Sequence, residues 1–225
     1  MIMNIFSVFD PCTSMFWSLN WFVFLLVILV LPNFYWVISS RFHFFFEKLM
    51  NLMYDEFKMI IKYSNLSIMY MFVCIFFMFI MVNFIGLFPY IYTLSSQLVF
   101  GLSYSLTLWM GSMIFGWMNF MNDMFIHLVP LNTPLGLIIF MVLIETVSNI
   151  IRPLTLSVRL VANMVAGHLL LGLLGGVGVY INILGVILLI FVQFFLFILE
   201  ISVSIIQGYV FSVLVLLYMD DVIFK

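Results

Sequence analysis

Within one strongly apolar stretch, Ile144 to Leu170, the sequence places Glu145, Asn149, Arg152, Arg159, Asn163 and His168. Ionisable groups in hydrocarbon cost about 2.5–3.5 kcal/mol each on insertion scales, so a segment that keeps several of them is expected to use them. Arginine keeps its charge, whereas glutamate and histidine can exchange protons near neutral pH in a low-dielectric site. At about 100° per residue, Glu145, Asn149, Arg152, Arg159 and Asn163 fall in one stripe within about 40° of Glu145. The stripe runs about 27 Å along the axis, close to the hydrocarbon thickness of a bilayer, about 30 Å. Thr155, Ala162 and Ala166 share that side, so the surface around Arg159 is small enough for a partner helix to come close. His168 points elsewhere, about 140° from Glu145.

A second stripe lies near the C-terminus. Gln193, Glu200 and Gln207 are spaced seven apart with Ser204 between them, and Tyr218 returns to the angle of Glu200. Glu200 is the only acidic or basic side chain between His168 and Asp220. A lone glutamate in such a helix must meet a partner, water or a proton. His168 on the preceding helix is a candidate partner across the hairpin, and the two together could relay protons. The plainer alternatives are that Gln193 and Ser204 are polar glue between helices, that His168 is a packed, hydrogen-bonded residue, and that Arg152 pairs with Glu145 or a lipid phosphate. His43, Asp123 and His127 lie in loops or at an interface and are expected to be solvated.

The rest of the composition narrows the chemistry. Of 225 residues, 67% are apolar and 7% charged, with a mean hydropathy of +1.33. That profile excludes an ordinary soluble domain and predicts an all-α, polytopic membrane protein, because runs of twenty or more apolar residues recur. Sustained alternation is missing, which argues against a β-barrel. A net charge of −2 gives no footprint for nucleic acid. Three histidines far apart give no haem or copper site, and no metal or cofactor is expected. Cys12 and Cys74 suggest no disulfide or metal framework. A phosphate-binding glycine loop and a Ser/His/Asp set are both missing from the sequence. The first sixteen residues hold no Lys or Arg, so no cleavable signal or transit peptide is expected. Heavy use of Phe (28) and Met (18) fits an organelle genome of biased composition, and equally fits free exchange of apolar residues in lipid.

The elements that must position these residues follow in order. Residues 1–15 are a polar lead with Asp10 and Pro11, and 16–38 a first span with tryptophans and a tyrosine near its ends. In residues 41–62, Arg41, Lys48, Asp55 and Lys62 repeat every seven positions opposite Phe42, Phe46, Leu49, Met53 and Phe57, which predicts an amphipathic interfacial helix. Spans are expected at 66–87 and 98–120, with loops at 91–97 and 121–133. Residues 134–174 and 180–217 are each too long for one upright crossing, and neither has a midpoint loop, so a long tilted hairpin is expected, with Pro153 able to kink the first helix without ending it and the turn at Gly175, Gly176 and Gly178. Four of seven Lys and Arg fall in 41–62. Five crossings then put that helix and the C-terminus on the positive-inside face and the N-terminus outside.

The residues IETVSNIIRPLTLSVRLVANMVAGHLLL, followed by LEISVSIIQGYVFSVLVLLY, resemble subunit a of rotary ATP synthases, the mitochondrial ATP synthase subunit 6 family. GLFPY at 86–90 and VFDP at 8–11 look like animal mitochondrial members, and the resemblance covers essentially the whole chain. It implies a stator subunit, not an enzyme on its own, lying in the mitochondrial inner membrane. Its N-terminus would face the intermembrane space and its C-terminus the matrix. The implied partners are the c-subunit ring, other membrane-sector and peripheral-stalk subunits, the lipid bilayer and protons.

By resemblance Arg159 is the essential arginine facing the ring. Glu200, His168, Asn163 and Gln207 match the half-channel open to the intermembrane space, and Glu145 the matrix half-channel, to which Asp220 and Asp221 would contribute. Bacterial relatives often carry an acid where His168 stands and a histidine where Glu200 stands, so the resemblance supports a facing pair. In the mechanism this implies, a ring carboxylate neutralised from outside rotates through lipid, then releases its proton near Glu145, while Arg159 blocks a direct leak. Each proton would bring about 2.3 kcal/mol per 100 mV. H⁺ rather than Na⁺ is expected, because no oxygen-ligand cluster stands out. Two other classes would also carry intramembrane charges: a secondary transporter, which usually shows an internal repeat, and a structural subunit of a respiratory complex, which would not need Arg159 or Glu200.

Overall fold

A computed structural model describes residues 5–12, 18–30, 38, 40–60, 66–89, 91–129 and 134–223. The described elements are all helical: α1 (Val23–Val30), α2 (Arg41–Ile60), α3 (Leu66–Gly86), α4 (Leu98–Asn119), α5 (Met121–His127), α6 (Ile138–Val177) and α7 (Ile183–Ile223). Short 3₁₀ turns at Ile5–Phe9, Leu19–Phe22, Leu94–Ser96, Leu135–Leu137 and Gly178–Tyr180 join or extend them. Among the described residues α3, α4, α6 and α7 are long and apolar enough to cross a membrane. The chain is a polytopic helical membrane protein.

Apolar side chains on every face make these helices, because a backbone in lipid must satisfy its own polar groups. Aromatic packing holds the bundle together. Phe79 on α3 stacks at 4.1 Å on Phe211 of α7 and meets Phe100 and Tyr104 of α4 edge-on. Glycines bring backbones close: a Cβ on Gly101 of α4 would sit 3.4 Å from the Ser157 carbonyl of α6. α2 shows two faces, with Phe57 fully buried and Phe46, Leu49 and Met53 against the core, while Arg41, Lys48, Asp55 and Lys58 are exposed.

Several boundaries differ from the sequence expectation. Within the first predicted span Leu19–Val30 is helical, and its positions 16, 17 and 31–37 lie outside the described residues. So do positions 61 and 62 of the amphipathic segment. Residues 121–127, expected as loop, form a helix, because MNDMFIH lacks glycine and proline and Phe125 packs edge-on against Trp117 at 5.0 Å. Segment 93–96 is buried rather than an open loop, since the Ser96 hydroxyl donates to the Thr93 carbonyl at 2.6 Å and closes a compact turn. Gly175 and Gly176 stay inside α6, and the chain reverses over 178–182 instead. Glycine permits a turn without forcing one, and in an apolar setting the helical hydrogen bonds are kept.

Pro153 lies inside α6 without ending it. Hydroxyls before and after it fold back onto the helix: Ser148 donates to the Glu145 carbonyl at 2.8 Å and Thr155 to the Arg152 carbonyl at 3.0 Å. At 40 and 41 residues, α6 and α7 are each about 60 Å long and each is one uninterrupted helix.

Candidate functional site

α6 and α7 run antiparallel, meeting from the level of Gly175 and Gln193 to that of Arg152 and Tyr218. A Cβ on Gly175 would lie 3.7 Å from Gln193 Nε2, and one on Gly167 would lie 2.8 Å from Glu200 Oε1. Further down the hairpin the Arg152 guanidinium sits 5.4 Å over the Tyr218 ring. The polar stripe of α7 therefore looks onto α6, and glycine makes room for it.

The two sides of α6 differ. Pro153, Leu156, Ser157, Leu160 and Met164 are buried against the bundle. Thr155, Arg159, Ala162, Asn163 and Ala166 are exposed. Arg159 lies near the midpoint of α6, flanked by short side chains, and has no ion-pair partner among the described residues. Arg152, two turns earlier, is different: its Nη2 lies 3.9 Å from Glu145 Oε1, with side chains 38% and 34% exposed. That half-exposed pair and the Tyr218 contact favour the pairing of Arg152 with Glu145 over a lipid phosphate.

Glu200 is only 8% exposed, and both its carboxyl oxygens are buried with no hydrogen-bond partner among the described residues. His168 does not pair with it. The imidazole bonds to the backbone of Gly86 at the end of α3, and its Nε2 has no partner among the described residues. The geometric reason is helical phase: Gly167 faces Glu200, and the next residue is turned about 100° away, towards α3. The expected facing pair is thus two separate groups on one level of the bundle. Ser204 and Gln207 are buried further along α7, whereas Asn163 is exposed beside Arg159.

At the other end of the hairpin, Glu145 and Asp220 both come near the Arg152 level. Glu145 is held by Arg152, and Asp220 Oδ1 is buried without a partner among the described residues. The Asp221 side chain lies outside the described ones, as do those of Asp123 and His127. His43 is half-buried at the start of α2.

Asn83 of α3 escaped the sequence reasoning. It is 0% exposed, and both ends of its amide lack a partner among the described residues. Because α3 and α7 are antiparallel, with Ile80 against Gly208 and Phe79 against Phe211, Asn83 is level with residues 205–207 of α7. That is about 8–10 Å along the axis from Glu200. The available signal was one amide in an otherwise apolar span, just ahead of GLFPY.

His168 also borders a cavity of about 850 Å³ that reaches the N-terminal segment and the α3–α4 connection. In that connection burial holds the Tyr92 phenol above its usual range. A hydrogen bond with Gln97 works against this, and the nearby Asp10 and Cys12 add to it. No group of three His, Cys, Asp or Glu suited to a metal occurs among the described residues.

The family described as ATP synthase A chain matches residues 13–220. The chain is 46% identical over 223 residues to ATP synthase subunit a of Drosophila yakuba, covering 99% of this chain and all of that protein. It is 47% identical over 224 residues to ATP synthase subunit a of Locusta migratoria, with the same coverage. It is 44% identical over 222 residues to ATP synthase subunit a of Apis mellifera ligustica, covering 98% of this chain and 97% of that one.

Proposed function

The chain belongs to the ATP synthase subunit a family, and from that premise we propose that it is the non-catalytic stator which passes protons to and from a ring of c subunits. As a member it is a membrane-sector subunit that takes part in proton transport and ATP synthesis and associates with other subunits of that complex. We place it in the mitochondrial inner membrane, with the N-terminus towards the intermembrane space and the C-terminus in the matrix, an orientation supported by the gathering of positive charge in residues 41–62 and at Lys225.

The observation that carries the mechanism is Arg159. A permanent charge stands on an exposed, small-residue face near the middle of a helix in lipid, without an anion from its own chain among the described residues. Leaving it there unpaired is costly, so the face requires an anionic partner close by. A carboxylate on each passing ring helix meets that need. The small residues around Arg159 allow the approach, and the length of α6 and α7 suits a hairpin lying steeply tilted against a curved ring.

Two proton paths are offset on either side of this charge. Glu200, with His168, Gln207 and Asn163, forms the path from the intermembrane space. Glu145, with Asp220 and Asp221, forms the path to the matrix. A ring carboxylate protonated from the Glu200 side becomes neutral and enters lipid at low cost. After nearly a full turn it gives its proton up near Glu145. The deprotonated carboxylate is then drawn to Arg159, whose positive charge repels a proton crossing directly between the paths.

The test is ATP-driven proton pumping in vesicles holding the assembled complex, with Arg159→Ala beside the unaltered chain. Coupled pumping is expected to vanish while the complex still assembles. Unchanged pumping by an assembled Arg159→Ala complex would make the arginine structural and remove the basis for two separated paths.

A further inference from the structure

The cavity beside His168 has a wall that the hairpin does not supply. It is formed by the N-terminal segment, including Asp10 and Cys12, together with Asn20, Tyr92 and Thr93, and it continues inward to His168 on α6 and Phe197 on α7. The segment is fastened there. Gln97 Nε2 donates to the Phe9 carbonyl at 2.8 Å, the Tyr92 hydroxyl donates to the same oxygen at 3.4 Å, and Asn20 Nδ2 donates to the Asp10 carbonyl at 3.1 Å. Residues separated by more than eighty positions are thus joined across the opening, and Asp10 is presented to it.

We propose that Asp10 is the proton-collecting group at the mouth of the outer path, held over the cavity by the Gln97 and Tyr92 clamp on Phe9. The proposal rests on the two-path reading above and adds to it a residue and a chain segment outside the hairpin. The titratable groups facing Asp10 around the cavity are Cys12 on its own segment, Tyr92 on the α3–α4 connection and His168 on α6. No lysine or arginine lines it among the described residues. The acid is therefore not neutralised by a fixed cation. A cleft of one sign with low-dielectric walls concentrates its counter-ion, here the hydrated proton, and raises the rate of capture. The proton taken up at Asp10 passes through the cavity to His168, and Asp10 returns to carboxylate ready for the next.

Capture at a mouth has a kinetic signature distinct from a step at the ring. It sets how much bulk proton is needed, and leaves the rate at saturation to the hairpin and ring. Vesicles with the outer face exposed are energised at fixed total driving force, and the ATP synthesis rate is followed as outer pH is varied. For Asp10→Asn the pH of half-maximal rate should move to more acid values by about half to one unit, with the saturated rate retained and Asp10→Glu restoring the profile. Arg159→Ala in the same assay abolishes synthesis at every pH if the two-path reading holds, so the failure of either idea is seen separately. An unchanged profile in Asp10→Asn overturns the proposal, as does a lower saturated rate with an unmoved midpoint. Should Asp10→Asn not assemble, the natural Cys12 decides, since it is an exposed free thiol on the same cavity. A cationic methanethiosulfonate adduct must move the midpoint to more acid pH, an uncharged adduct must not, and Cys12→Ser must abolish the difference. Equal responses to the two reagents overturn the proposal.

Discussion

Adding one methyl group at Gly167 tests whether the position of the Glu200 carboxyl matters. An alanine Cβ there would lie 2.8 Å from Oε1, 3.0 Å from Cδ and 3.2 Å from Cγ of Glu200. Non-bonded carbon contacts are comfortable at about 3.5–4.0 Å, so the whole end of the side chain must withdraw by half an ångström or more. Three successive atoms are involved, so turning the terminal carboxyl alone does not clear the clash. The side chain is 8% exposed and has little space to withdraw into. Alanine is also the better helix former, by up to about 1 kcal/mol, so the helix itself is not weakened. A displacement of about 1 Å at a reacting group can cost on the order of 100-fold in rate, and half that displacement suggests about tenfold. Proton pumping per assembled complex should therefore fall about tenfold in Gly167→Ala. The matched control is Gly176→Ala on the same helix, where nothing lies within 4 Å of the new Cβ, and pumping should be unchanged. Equal rates for the two variants, both assembled, would refute the assignment of Glu200 to the path.

Two further substitutions separate packing from transport. In Gly208→Ala the Cβ would meet Ile80 Cγ1 at 2.7 Å and the Ile80 backbone nitrogen at 3.4 Å, which forces α7 from α3 and should cost about 1–3 kcal/mol, read as less assembled complex and a lower melting temperature. In Asn83→Leu a buried amide with no protein partner among the described residues is replaced by an apolar side chain of similar size. Stability should hold or rise, because no hydrogen bond of the chain is lost, and pumping per assembled complex should stay near normal, since the Glu200 path is not drawn through Asn83. A several-fold loss of pumping in an assembled complex would show instead that the amide serves the path.

The helices and the polar stripes were legible in the sequence because they rest on periodicity, and lipid makes periodicity nearly decisive. Glu145, Arg152, Arg159 and Asn163 do occupy half-buried or exposed positions on α6, and the Glu200 stripe faces that helix. What one helix's phase cannot give is the rotation of its neighbour. The hairpin register brings residues 167 and 200 together, not 168 and 200, and a shift of one position moves a side chain about 100° around the axis. That single step sends His168 to the backbone of Gly86, a contact between segments more than eighty residues apart that no local pattern encodes. Asn83 was missed for a related reason, since one amide on an apolar helix has no period of its own, and its level against α7 follows only from the packing of α3 on α7.

The same logic explains why glycine, not charge, is the better guide to the interior of this hairpin. Charges mark where function needs an ion, but Gly167 and Gly208 mark where a second helix, or the carboxyl it carries, already occupies the space a side chain would take. Arg159 sits on a flank of α6 where Thr155, Ala162, Asn163 and Ala166 are short without being buried. Residues that are small yet exposed stabilise nothing within the chain itself. Their size becomes meaningful against a partner surface, and a ring moving past a stator, as proposed above, is one that needs such clearance.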